Sequence, residues 1–70
     1  MDLYRLASRI FNYGQLVEMI EYYNRRVALY SVDSDFYEVY YNQESNEIEK
    51  INQASDPDLA KYLNRITIKL

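Results

Sequence analysis

The chain has 70 residues and a mass of 8.5 kDa, so it makes one small domain, residues 1–70, expected to bury only about 60% of its unfolded surface. It contains no Cys and no His, which excludes disulfides, thiolate or imidazole metal centres, and every catalytic arrangement built on a Cys or His. Hydrophobic residues at 49% and charged residues at 27%, with a formal net charge of −3, are the balance of a folded domain and not of a disordered tail.

From the N-terminus, apolar residues recur at Leu3, Leu6, Ile10, Tyr13, Val17 and Ile20, the three–four rhythm of a helix face. Arg5, Arg9, Gln15, Glu18 and Glu21 turn mostly away from it, and Asp2 can accept from the free amides of the first turn. The pattern predicts helix from about residue 3 to residue 23, kinked or broken at Gly14, with a competing reading in which 15–23 is a strand. Arg25 and Arg26 would then sit at the helix end and favour its dipole.

Val27–Val32 and Phe36–Tyr41 are rich in β-branched and aromatic residues and flank Asp33-Ser34-Asp35, which predicts a β-hairpin. Without a glycine in the loop, turn type and register stay open. Asn42–Asn46 reads as a second hairpin loop, with Asn46 the residue best suited to positive φ, and Glu47–Asn52 as a third strand. Ser55-Asp56-Pro57-Asp58 combines a cap, a first-turn proline and acids beside the dipole, so a helix starts there, with Leu59, Tyr62 or Leu63, and Ile66 as its stripe. The alternation of Ile66–Leu70 suits a short closing strand. The fold class is α+β: an N-terminal helical segment, a three- to four-stranded mainly antiparallel sheet, and a C-terminal helix.

Charge is partitioned along the chain. Residues 1–32 carry four arginines against three acids, +1; residues 33–58 carry eight acids against Lys50, −7; residues 59–70 carry three basic residues, +3. Turns and caps account locally for Asp33, Asp35, Glu44, Asp56 and Asp58, which leaves Glu38, Glu47 and Glu49 as acids on strands.

Nine Tyr and no Trp is the compositional oddity. Strand alternation puts Tyr37, Val39 and Tyr41 on one face, assigned to the core, and Phe36, Glu38 and Tyr40 on the other. Tyrosines offer large contact area with few torsions to freeze, so this second face is expected to be a contact surface. Its apolar anchors would be Leu29, Phe36 and Tyr40, with Glu38, Glu47 and Glu49 as flanking charges. The expected function is a non-enzymatic module that binds another protein, or a second copy of itself as a homodimer. The alternative is an acidic inhibitor imitating nucleic acid. Direct binding of single strands is the weakest reading, because the aromatic residues sit beside acids and not beside phosphate-holding cations.

No glycine-rich phosphate loop can be built from one Gly, and Asp33-Ser34-Asp35 lacks the turn glycine and closing glutamate of a calcium loop. No catalytic residue, metal or cofactor is therefore expected. Met1-Asp2-Leu3-Tyr4-Arg5 lacks a secretory signal pattern, no apolar run approaches a membrane span, and a cytoplasmic protein is the expectation.

Overall fold

The computed structural model describes residues 2–63. In chain order it contains α1 (Leu3–Tyr13), β1 (Gln15–Tyr22), β2 (Arg25–Val32), β3 (Asp35–Asn42), β4 (Ile48–Gln53) and α2 (Asp56–Leu63). The four strands form one antiparallel meander in the order β1-β2-β3-β4, so the α+β class holds with the larger strand count. Ile66 and the alternating segment 66–70 lie outside the described residues.

The helix expected over 3–23 is corrected: it stops at Gly14, and 15–22 is strand β1. Asp2 caps its start, the side chain accepting from the Tyr4 amide at 3.1 Å. At its end the Gly14 amide donates to the Ile10 carbonyl at 2.7 Å, and the backbone turns extended. A Cβ on Gly14 would stand 2.5 Å from the Ile10 carbonyl oxygen and 2.9 Å from Val32 Cγ2. Glycine is required here by the close approach of helix end to β2, and that approach sends the chain back along the sheet. The three–four rhythm ran across Gly14 only because Val17 and Ile20 fell in phase with the helix before it. Arg25 and Arg26 accordingly open β2 and cap no helix.

Three hairpins follow, none using glycine. Tyr23 and Asn24 both take positive φ (49° and 64°), the pattern of a two-residue I′ turn. Between β2 and β3, Asp33 takes positive φ (57°) in the two-residue turn Asp33-Ser34. In the β3–β4 loop the Asn42 side chain accepts from the amides of Glu44 and Ser45, and Asn46 takes φ 61°, as its residue type predicts. Asp58 caps the start of α2, its carboxylate accepting from both the Ser55 amide and the Ser55 hydroxyl at 2.9 Å.

The two helices cover opposite faces of the sheet. On one face Ile10 of α1 packs on Ala28, Val32 and Val39, with Leu6, Tyr37, Tyr41 and Ile51 around them. On the other, Tyr62 of α2 packs on Ile20, Val27, Leu29 and Tyr40, with Leu59, Phe36 and Ala54 beside it. The assignment of Tyr37, Val39 and Tyr41 to a core face holds. Among the described residues no helix is long and apolar enough to cross a membrane.

Candidate functional site

The register places Tyr40 opposite Val27, Glu38 opposite Leu29 and Phe36 opposite Ser31, so Leu29, Phe36, Glu38 and Tyr40 do share a face. That face is not a free contact surface, and the expectation is corrected. Leu29, Glu38 and Tyr40 are 3%, 0% and 8% exposed, and Phe36 is half-buried, because α2 lies across them. The cause is the α2 stripe: Leu59 and Tyr62 point at this side of the sheet and bury their own apolar area there. Glu47 is exposed in the loop ahead of β4 and so is not a strand acid. Glu49 sits beside the irregularity where β3 and β4 shift register, and is held by Arg25 and by the Asn42 amide group. Those hydrogen bonds, Arg25 first, hold its carboxyl below the ordinary carboxylate value.

Glu38 became the centre of a buried polar cluster. Its carboxylate accepts from the Tyr62 hydroxyl at 2.8 Å and the Asn52 amide at 3.1 Å, with a longer contact to the Tyr40 hydroxyl at 3.4 Å. The Lys61 ammonium stands 2.7 Å from the same carboxylate and donates to the Tyr40 hydroxyl at 3.1 Å. Burial draws the Lys61 pKa down, but its bonds to Glu38 and Tyr40 outweigh this and the net shift is upward. Burial, then the bond to Glu38, pushes the Tyr62 hydroxyl well up from its ordinary value. Among the described residues no buried side-chain polar atom lacks a partner. A carboxylate sealed from solvent and saturated with donors has no acceptor site left for a substrate; it fastens α2 to the sheet.

The exposed apolar surface lies instead on β1. Leu16, Val17 and Met19 are 53%, 45% and 43% exposed. Leu16 and Met19 pair across to Tyr30 and Ala28, on the α1 face of the sheet, and Val17 is the extra residue of a bulge between Leu16 and Glu18. Helix α1 packs over β2 and β4, which leaves the β1 end of that face open. Exposed Phe11 reaches toward it, its ring 5.5 Å from that of Tyr30. β1 is also an edge strand, with no strand on its outer side among the described residues. The Met19 amide is taken up by the carboxylate of its own neighbour Glu18 at 3.0 Å.

The other edge is built differently. β4 has six residues, exposes Glu49 and Lys50, and turns Ile48 and Ile51 inward toward the α1 core. Charges and a register irregularity on an edge are the usual guards against strand addition. β1 carries a bulge near its start and two acids, Glu18 and Glu21, but also presents Leu16, Val17 and Met19 exposed along an eight-residue edge.

The acids that give residues 33–58 their charge of −7 do not gather in one place. Asp33 and Asp35 lie at the β2–β3 turn, where Asp35 accepts from Gln53 and α2 begins with Asp56 and Asp58. Glu44 and Glu47 lie in the β3–β4 loop, at the opposite end of the strands. Among the described residues no three acids converge as a metal site. The strand over 15–23, the competing reading, is the one the structure shows, ending at Tyr22; its turn, Tyr23-Asn24, has no glycine to announce it, and Asn24 is the residue type there that suits a left-handed backbone. No family model, curated protein or solved structure matches the chain.

Proposed function

We propose that this protein is a non-enzymatic interaction module that takes up an extended segment of a partner protein along the outer edge of β1. The observation that carries this is the contrast between the two edges: β4 is short and turns its isoleucines inward, whereas β1 is longer and exposes Leu16, Val17 and Met19. Strand addition supplies affinity through main-chain hydrogen bonds and selectivity through alternate side chains. Here Leu16 and Met19 offer apolar contacts on one face, continuous with Phe11. The sealed state of Glu38 supports a structural role for the most buried charge, and so a module without chemistry of its own. An imitator of nucleic acid needs an open array of carboxylates. Glu38 is buried, Glu49 is paired, and the remaining hairpin acids are split between two ends, which weighs against that alternative.

The test is a photo-crosslinking amino acid placed singly at Val17, at Tyr4 on the outer face of α1, and at Ser34 in the β2–β3 turn, all exposed positions. Discrete adducts from Val17, lost on Leu16→Asn/Met19→Asn, are the expected result. Adducts confined to Tyr4 or Ser34 would place the contact surface elsewhere and overturn the reading.

A further inference from the structure

We infer that the segment β1 takes up is a basic one, with lysine or arginine alternating with apolar residues, and that it belongs to a different protein and not to a second copy of β1. This rests on the reading of β1 as a docking edge and adds the chemistry of what docks.

The residues of β1 are Gln15, Leu16, Val17, Glu18, Met19, Ile20, Glu21 and Tyr22: two acids and no base. Glu21 stands across from Arg26 on β2, on the same face as Leu16 and Met19, so the cationic face of an alternating strand meets Glu18 and not Glu21. Glu18 is opposite Leu29 and has no basic neighbour in the strand pair. Its carboxylate occupies the Met19 amide instead, at 3.0 Å, where an incoming strand must place a carbonyl. A cation on the incoming strand would draw Glu18 off that amide, and the carbonyl would replace it. One exchange thereby satisfies both the backbone donor and the carboxylate.

A second copy is disfavoured by the same residues. Antiparallel pairing of β1 with β1 brings two Glu18 and two Glu21 onto one short ladder without a positive charge on either strand. Registers centred on Glu18 or on Glu21 set like charges directly opposite, which destabilises a strand pair, and the other registers leave four carboxylates on the ladder with no cation among the strand residues. The geometry therefore selects against self-pairing while leaving apolar contacts at Leu16 and Met19 for a partner of complementary sign.

The experiment uses the full 70-residue chain, isotopically labelled, and three synthetic octapeptides. The first alternates lysine and valine; the second has the same composition in two blocks; the third alternates glutamate and valine. The alternating basic peptide is expected to bind about tenfold more tightly than either other, its lysines on the Glu18 face and its valines on the Leu16 and Met19 face, moving the β1 amide resonances, with Glu18→Gln reducing its affinity about tenfold. Glu18→Lys is expected to reverse the preference to the acidic peptide. Light scattering should give a mass near 8.5 kDa for the free chain.

Equal binding of the block peptide would show charge attraction without strand addition and overturn the inference. So would a stable dimer abolished by Leu16→Asn/Met19→Asn. If the acidic peptide shifts β1 as strongly as the basic one, the partner class fails while the docking edge stands. If no peptide moves β1 and Val17 gives no adduct, both fail. Binding that appears only in Ile66→Asn/Ile68→Asn would assign the edge to this chain's own C-terminal sequence and overturn the separate partner.

Discussion

Replacing Glu38 by Gln keeps the shape and one acceptor but removes the charge that Lys61 faces at 2.7 Å. The Lys61 side chain is only 16% exposed, so its ammonium cannot fully recover hydration where it stands. Removing one partner of a buried pair costs about 3–5 kcal/mol, since it leaves the other charge uncompensated. At roughly 0.05–0.15 kcal/mol per residue, a domain of this length has about 4–10 kcal/mol in total. Glu38→Gln should therefore consume a large part of the stability. Lys61→Met alone should do the same from the other side, because it leaves the carboxylate buried with neutral donors only. Together the two changes remove both charges, and the double variant should be more stable than the summed single losses imply, by about 2–3 kcal/mol. Urea unfolding followed by far-ultraviolet circular dichroism reads this directly. With a slope near 1–3 kcal/mol per molar, each single change lowers the midpoint by about 1 M or more, and the double recovers part of it. Additivity within about 0.5 kcal/mol would show that the pair is not coupled and that Glu38 does not hold α2.

Other expectations follow from the same packing. Phe36→Ser/Tyr40→Ser should unfold the domain, because truncating the buried Tyr40 costs about 3–5 kcal/mol and losing the half-buried Phe36 adds to it; circular dichroism checks it, and retained structure would contradict the burial under α2. Gly14→Ala should cost about 1–3 kcal/mol by forcing α1 away from β2, read as a lower urea midpoint, and an unchanged midpoint would deny the close approach. Tyr23→Asn should stabilise by up to about 1 kcal/mol, since asparagine tolerates the left-handed backbone that tyrosine is forced into there; the urea midpoint should rise. Stability should fall as pH rises above the ordinary tyrosine value of 10.0, because the folded state holds Tyr62 protonated and the unfolded state does not. The raised Lys61 value adds to that loss, its contribution being complete below its ordinary 10.5 and lost above it. Tyr62→Phe should flatten the alkaline limb, which pH-dependent unfolding would show.

Much of the sheet was legible. The β2–β3 hairpin declares itself through Val27–Val32 and Phe36–Tyr41, and alternation alone sorts Tyr37, Val39 and Tyr41 from Phe36, Glu38 and Tyr40. The start of α2 is readable because Ser55, Pro57 and Asp58 each satisfy a separate requirement of a helix end. β1 was obscured for a local reason: Leu16, Val17, Met19 and Ile20 suit a helix or a strand, and only the contact of Gly14 with Val32 decides between them. Glu38 misled differently. A charged residue between two aromatics on a strand reads as solvent-exposed, and its four donors come from Tyr40, Asn52, Lys61 and Tyr62, three of them at least 14 positions away. Such a cluster exists only once α2 is docked, so no local pattern announces it.

The most direct test of the docking edge is hydrogen exchange at the Met19 amide, which in the free chain is held only by the Glu18 side chain. With the partner recovered through the Val17 adduct, strand addition predicts that exchange at Met19 slows by orders of magnitude, together with other outward β1 amides. An unchanged rate at Met19 in the saturated complex, with slowing confined to α1 or to the 43–47 loop, would contradict it.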